Sequence, residues 1–87
     1  MDALAIRLYG HSGCPGTARA RAYLLAAGIA FDDCDIADPP AAAEMRRWGG
    51  WATPLLVIGE GVCMTGFDQA EFEALLARFR EVAAGGA

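Results

Sequence analysis

An α/β fold built on one mixed β-sheet is predicted by two features of the sequence. Short apolar runs alternate with helical segments in the first half, and a hairpin pattern precedes a final helix, giving the order βαβαββα. The alternation implies right-handed crossovers and parallel strands, whereas the hairpin adds antiparallel pairing. We therefore expect a four-stranded mixed sheet flanked by three helices, with helices on both faces.

The first strand and helix are bounded by glycine and proline. Residues 4–9 form an apolar run that stops at Gly10, as expected of a buried strand. The Ala-rich segment 15–27 predicts a helix that begins at Pro15 and stops before Gly28. Helical spacing places small or apolar residues on one face of it: Ala18, Ala22, Leu25 and Ala26.

The middle of the chain predicts a second strand and a short helix. Residues 29–36 hold Phe31 and Cys34 among aspartates and are interpreted as a strand. Asp38 followed by two prolines is a helix start, with Asp38 at the N-cap. This helix is expected to include residues 41–48 and to end at Gly49.

A hairpin and a last helix complete the chain. Strands are predicted at 54–58 and 62–64, joined by a tight turn at 59–61. Asp68, with Glu71 three residues later, suggests a capping box. Ala84 to Ala87 are expected to fray. Helical spacing puts the following side chains on the inner face: Phe72, Leu75, Leu76, Phe79 and Ala83.

Length and composition restrict the class of protein. The 87 residues suit a single domain spanning 1–87, and 55% hydrophobic against 21% charged residues argues against disorder. A net charge of −4 argues against nucleic-acid or membrane-surface partners, and the first apolar run is too short to span a membrane. No secretory signal is visible at the start, so we expect a cytoplasmic setting.

The three cysteines are odd in number, so they cannot form a complete set of internal disulfides. With a single histidine they do not match the spacing of a zinc site, and no metal is expected. Cys34 and Cys63 are interpreted as small buried apolar residues, with a resolving thiol as the alternative. Cys14 stands in a different setting.

The segment Cys14-Pro15-Gly16-Thr17 lies where the first strand passes into the first helix. A cysteine at the N-cap faces unpaired N–H groups and the positive end of the helix dipole, which favour the reactive thiolate. Pro15 suits the first turn, Gly16 leaves the sulfur uncovered, and the Thr17 hydroxyl could hydrogen-bond it. Alternatively, Cys14 only caps the helix and Thr17 satisfies a backbone donor.

Other charged groups lie near this segment. His11, three residues before Cys14, is either a nearby cation or base, or an exposed loop residue. Arg19 and Arg21 add positive charge to the first helix, although arginines at such positions usually form a solvated face.

Three separated motifs carry a resemblance to a known family. Leu8-Tyr9 with Cys14-Pro15 precedes a helix, Ala52-Thr53-Pro54 precedes a strand, and Gly66-Phe67-Asp68 precedes the last helix. In order and spacing the chain resembles the glutaredoxin family, from Ile6 to about Phe79. The resemblance implies a thioredoxin-like (glutaredoxin) fold.

The resemblance also implies a glutathione site that includes the motif residues Tyr9 and Gly66. Pro54 would be a cis-proline beside Cys14, and the backbone of Thr53 would pair with the cysteine part of glutathione. The backbone N–H groups of Phe67 and Asp68 would receive the γ-glutamyl carboxylate. Arg47, or next Arg46, would hold the glycyl carboxylate, and Trp48 and Trp51 could wall the site. The alternatives are that Thr53-Pro54 is only the entry to a strand, that Asp68 is only an N-cap, and that the two arginines are only surface charge.

Three departures from the family pattern bear on mechanism and on glutathione binding. Thr17 occupies the position of the second cysteine of dithiol members, so the resemblance implies a monothiol mechanism. His11 replaces the usual lysine, and Thr65 replaces one glycine of the usual pair before Asp68. The motif also differs from the Cys-Gly-Phe-Ser of the cluster-sharing class, so an iron-sulfur cluster is not expected.

The leading hypothesis is a glutaredoxin-like thiol-disulfide oxidoreductase in cell redox homeostasis, with Cys14 as nucleophile and glutathione as co-substrate. Its expected partners are glutathionylated or disulfide-bearing proteins, and a monomer is expected. The main alternative is a redox-silent module that binds glutathione, a peptide or a protein. A glutathione-transferase-like domain and an arsenate-reductase-like oxyanion site using Arg19 are further alternatives.

Overall fold

A computed structural model describes the backbone of residues 5–85 and the side chains of residues 5–81. The described chain forms four strands, β1 (Ile6–Gly10), β2 (Asp32–Asp35), β3 (Leu55–Ile58) and β4 (Val62–Thr65). It also forms three helices, α1 (Pro15–Ala26), α2 (Pro39–Arg47) and α3 (Gln69–Gly85). The predicted order βαβαββα is confirmed.

The strands make one mixed sheet in the order β2-β1-β3-β4. β1 pairs in parallel with β2, and antiparallel pairing joins β1 to β3 and β3 to β4. One cross-strand row contains Cys34, Tyr9, Leu55 and Thr65, from one edge of the sheet to the other. The predicted mixed sheet with a late hairpin is therefore confirmed.

Strand β2 is shorter than the predicted 29–36. The chain first closes α1: Gly28 adopts φ +70°, and the Ile29 N–H donates to the Leu24 carbonyl (3.0 Å). Ile29 therefore completes a helix-end turn of the kind that glycine permits, before any strand pairing starts. At the other end of the sheet β4 extends one residue beyond its prediction, to Thr65, while Leu4 of the first predicted strand lies outside the described residues.

The inner face of α1 differs from the predicted one. Its buried residues are Thr17, Ala20 and Leu24, at spacings of three and four, whereas Leu25 is 66% exposed. The three alanines predicted to be buried are exposed: Ala18, Ala22 and Ala26. Alanines occur on every side of α1, so no face is clearly more apolar than the others. Because the buried face also begins with the polar residue Thr17, the sequence pattern predicted a different face.

Helices α1 and α3 cover one face of the sheet. Leu24 from α1 and Phe72 and Leu76 from α3 pack with the sheet residues Leu8 and Leu56. The predicted inner face of α3 is confirmed for its described side chains, with Leu75 and Phe79 partly buried, while Ala83 and Ala84 to Ala87 fall in the region whose side chains are not described.

Helix α2 covers the opposite face. Met45 packs on Tyr9, Leu55 and Val57, which confirms the prediction of helices on both faces. Asp38 stands at the N-cap of α2, but its side chain makes no cap hydrogen bond. No helix in the described part of the chain is long and apolar enough to cross a membrane.

We expect Leu24→Ala to lower the free energy of unfolding by about 2–5 kcal/mol, because it opens a cavity under α1. The matched control Leu25→Ala, one residue further along the exposed side, should change it by less than about 0.5 kcal/mol. Urea denaturation of the two variants measures both values. Equal losses would mean that the inner face of α1 is assigned incorrectly.

Candidate active site

The turn between β1 and α1 holds Cys14 in place. The Cys14 N–H donates to the His11 carbonyl (3.2 Å), and the Gly13 N–H donates to Nδ1 of the His11 ring (3.1 Å). Cys14 has an extended backbone at the N-cap of α1, with Pro15 as the first helical residue. The predicted N-cap position is thus confirmed. His11 is exposed, and its ring stabilises the turn by accepting the Gly13 N–H.

Cys14 is the one thiol in the described chain whose pKa is clearly lowered. Hydrogen bonds lower the pKa of Cys14 to about 7, and the largest contribution comes from the Thr17 side chain, followed by the Thr53 side chain. The backbone of Thr17 and of Gly16 also lowers this pKa, whereas burial raises it. In its neutral form the thiol points at the Thr53 carbonyl oxygen, 3.6 Å away. The thiolate is therefore a major form at neutral pH.

Thr17 is fully buried beneath this thiol. Its hydroxyl has no hydrogen-bond partner of full geometry among the described residues, and the Cys14 thiol, whose pKa it lowers, is the acceptor nearest to hand. An unpaired buried hydroxyl costs about 1–3 kcal/mol, and a thiolate beside it is an acceptor that removes this cost. Burial of Thr17 therefore favours ionisation of Cys14.

Gly10 makes room for Thr17. A Cβ added to Gly10 would lie 2.3 Å from Thr17 Cγ2 and 2.5 Å from Oγ1, which is too close for any side chain. A glycine is thus required where β1 ends, so that the first turn of α1 can pack directly on the strand. Sequence reasoning treated Gly10 only as the end of the strand and missed this contact.

The second motif meets the first at Pro54. The Thr53–Pro54 peptide bond is cis, as the resemblance implied, and Pro54 is buried. A Cβ added to Gly16 would lie 2.9 Å from Pro54 Cδ, so α1 approaches the proline closely through a glycine. The expected packing of Pro54 beside the Cys14 motif is observed.

The third motif is tied to the second by one backbone hydrogen bond. The Gly66 N–H donates to the Pro54 carbonyl (2.8 Å), with Gly66 at φ +79°. The Phe67 ring packs against Tyr23 and Phe72, with centroids 5.6 and 6.0 Å away. This packing fixes the start of α3 beside Pro54.

The Asp68 carboxylate caps α3 by accepting the Glu71 N–H (2.9 Å). The N-cap interpretation of this side chain is therefore correct. The backbone N–H groups of Phe67 and Asp68 donate to no acceptor within the described residues. Two unpaired donors thus lie next to Gly66, where the chain enters α3.

Two predicted site residues lie elsewhere. Tyr9 is fully buried under α2, where its hydroxyl donates to Glu44 Oε1 (2.6 Å), so its side chain has no surface to offer a ligand. Arg47 lies at the C-terminal end of α2 and lines a recess with Arg7 and Trp48. In the loop that follows, Trp51 is 82% exposed.

Arg21, Cys34 and Cys63 lie outside the Cys14 site. Arg21 forms an ion pair with Asp33 (2.8 Å) on the surface, as expected of a solvated helical face. Cys34 is partly buried, and burial, with Glu44 second, raises its pKa. Cys63 is exposed on β4, which contradicts its prediction as a buried residue: β4 is an edge strand of the sheet, where side chains are less enclosed than on the central strands. Within the described residues no group of three His, Cys, Asp or Glu could hold a metal.

The fold and the thiol at the start of α1 are those of thioredoxin-like proteins, and comparison with known proteins identifies the family. The sequence matches the family model described as Glutaredoxin over residues 6–62, well over half of its length. The chain belongs to the glutaredoxin family. No curated protein matches the sequence.

Solved structures agree on the fold. A single-residue variant of the thioredoxin-like protein BC3987 has a TM-score of 0.73 and 25% identity, covering 82% of this chain and 97% of that one. Unsubstituted BC3987 gives 0.72 and 24%, covering 80% and 97%. The glutaredoxin grx-1 from Archaeoglobus fulgidus gives 0.69 and 20%, covering 82% and 84%. The predicted thioredoxin-like (glutaredoxin) fold is confirmed.

We expect Thr17→Val to raise the pKa of Cys14 from about 7 towards the ordinary thiol value of about 8.5, because valine keeps the packing on Gly10 but removes the hydroxyl. Thr17→Ser should retain most of the lowering. Ultraviolet absorbance of the thiolate against pH, in a Cys34→Ala, Cys63→Ala background, measures the pKa. An unchanged pKa in the valine variant would show that other groups activate the sulfur.

Proposed function

We propose that this chain is a glutathione-dependent thiol-disulfide oxidoreductase that works with one catalytic thiol, Cys14. Membership of the glutaredoxin family supports a redox role, since glutaredoxins are thiol-disulfide oxidoreductases that use glutathione as reductant. The observation that carries the proposal is the Cys14 pKa of about 7, lowered by a buried Thr17 at the position of the second family cysteine.

The proposed reaction has two exchanges. The Cys14 thiolate attacks the glutathionyl sulfur of a mixed disulfide, which forms a Cys14–glutathione disulfide and releases the substrate as a thiolate. A second glutathione thiolate then attacks the glutathionyl sulfur on Cys14, which restores the Cys14 thiolate and forms oxidised glutathione. One reduced glutathione is consumed in each cycle, because the glutathione of the mixed disulfide supplies the other half of the oxidised glutathione, and no second protein thiol is needed.

The lowered pKa supports this reaction quantitatively. At pH 7 about half of Cys14 is thiolate, whereas a thiol with a pKa of about 8.5 is ionised only to a few per cent. The attacking species is therefore roughly fifteen times more abundant than at an ordinary cysteine. Cys34 has a raised pKa and therefore does not compete on these terms.

We propose that glutathione binds along the three motifs that meet at Pro54. The Thr53 carbonyl lies 3.6 Å from the Cys14 sulfur, which supports the proposal that its backbone pairs with the cysteine part of glutathione. The unpaired N–H groups of Phe67 and Asp68 at the start of α3 suit the γ-glutamyl carboxylate. Arg47 remains the proposed partner of the glycyl carboxylate.

Glutathionylated or disulfide-bearing proteins are the proposed substrates. Trp51, 82% exposed and three residues before Pro54, supports this choice because it offers an apolar contact that a protein surface can cover. We further propose a monomer in a reducing, cytoplasmic setting, where cysteines such as these three free ones stay reduced.

The test is the intact mass of the protein after exposure to oxidised glutathione between about pH 4 and about pH 10. We expect one glutathione adduct, whose rate of formation is low in acid, rises as Cys14 ionises, and is half-maximal near the pKa of about 7. Cys14→Ser should abolish it. Cys63→Ser is the matched control, because it removes an exposed thiol and should leave the rate unchanged.

Turnover of a glutathionylated peptide with reduced glutathione then separates enzyme from binding module. Adduct formation with turnover supports the proposal. Glutathione binding that persists in Cys14→Ser without turnover in the parent chain would favour the redox-silent module instead. An adduct rate that follows an ordinary thiol, half-maximal above pH 8, would contradict the proposed activation of Cys14.

A further inference from the structure

Arg19 lies beside the Cys14 site, and the proposed reaction does not use its charge. In a helix a side chain leans towards the N-terminus and lies over the residue three positions earlier, which for Arg19 is Gly16. The structure shows this placement, because Nη2 of Arg19 lies 3.7 Å from the point where a Gly16 Cβ would be. The guanidinium is thus held over the first turn of α1, the turn that begins at Cys14.

The same point over Gly16 is bordered by Pro54. A Cβ there would lie 2.9 Å from Pro54 Cδ, so the Arg19 guanidinium and the Pro54 ring flank the same small space. The backbone of Gly16 also forms a hydrogen bond that lowers the pKa of Cys14. Arg19 therefore stands at the α1 side of the rim around the sulfur.

The Arg19 guanidinium has no partner in the part of the chain whose side chains are described. It is exposed and makes neither an ion pair nor a hydrogen bond there, whereas Arg21, on the same helix, is held by both oxygens of Asp33. Cys14 does not depend on it for ionisation, because hydrogen bonds lower the pKa of this thiol, the Thr17 side chain contributing most. One cation at the rim is thus left for a ligand.

The proposed glutathione contacts leave this side of the site open. They lie at Thr53, at the start of α3 and at the C-terminal end of α2, and none of them is on α1. The polypeptide that carries the mixed disulfide therefore passes over the α1 side of the rim, where Gly16 offers no side chain and Arg19 offers a charge.

We propose that Arg19 is a specificity-determining residue that selects protein substrates with a carboxylate next to the disulfide. This inference rests on the proposed function, because it concerns which mixed disulfides Cys14 reduces. The guanidinium presents paired N–H donors that match a carboxylate, and it repels a lysine at the same place. The chain as a whole has a net charge of −4, so the attraction of an acidic substrate is local to Arg19.

The test compares kcat/KM for three glutathionylated peptides that differ only in the residue next to their cysteine, which is Glu, Gln or Lys. At low salt we expect the Glu peptide to exceed the Gln peptide about threefold to fivefold, as for one exposed ion pair, and the Lys peptide to be the slowest. The preference should shrink at high salt, because both charges are exposed. A preference for the Lys peptide, as net charge alone would give, would overturn the proposal.

Variants assign the preference to Arg19. A neighbouring carboxylate also changes the intrinsic reactivity of a disulfide, so each variant is judged by its ratio of kcat/KM for the Glu peptide to that for the Gln peptide. Arg19→Gln should lower this ratio about threefold to fivefold, and Arg19→Glu should favour the Lys peptide. Arg21→Gln is the matched control, because it removes an equal charge that is already paired with Asp33, and it should keep the parent ratio. An unchanged ratio in Arg19→Gln, or an equal loss in Arg21→Gln, would contradict the assignment.

Two readouts separate this inference from the proposed function. The pKa of Cys14, taken from the rate of adduct formation against pH, should stay at about 7 in Arg19→Gln. A raised pKa with equal losses for the three peptides would make Arg19 an activating cation and would overturn its role in selection. Turnover of the three peptides at one rate would overturn selection alone, whereas no turnover of any peptide would overturn the proposed function and this inference together.

Discussion

Packing of Thr17 directly on Gly10 is the contact on which the site depends. It brings the first turn of α1 against the end of β1, which buries the threonine completely and sets its hydroxyl where it lowers the pKa of Cys14. A larger residue at position 10 would push the helix away, and a hydroxyl with other partners would have less effect on the thiol. The local reactivity of Cys14 is thus a consequence of how closely a helix and a strand approach each other.

A second close approach joins the rest of the site to this contact. Gly16 lets α1 meet Pro54, and the Pro54 carbonyl receives the N–H of Gly66, which leads into α3. Three segments that are far apart in the sequence therefore meet around one proline. Because each of these junctions uses a glycine, a backbone group or a proline ring, it depends on close backbone packing rather than on large side chains.

Much of the fold could be predicted because its signals are local. The turn residues around Gly28 and Gly59 and the cap at Asp68 fixed the order of the elements, and the Cys14 and Pro54 motifs located the centre of the site. The inner face of α1 could not be predicted, because its alanines carry no amphipathic pattern and its innermost residue, Thr17, is polar. The setting of Tyr9 depends on Glu44, thirty-five residues away, and such tertiary contacts leave no local signal.

The acidic character of β2 has a consequence for the behaviour of the chain in a crowded solution. β2 forms one edge of the sheet, and three of its four residues are aspartates with exposed side chains. An unprotected edge is a template for strand pairing between molecules, and a row of like charges opposes that pairing when two copies approach edge to edge. The aspartates of β2 thus oppose aggregation through this edge of the sheet. The two central strands, β1 and β3, supply most of the buried apolar residues of the sheet.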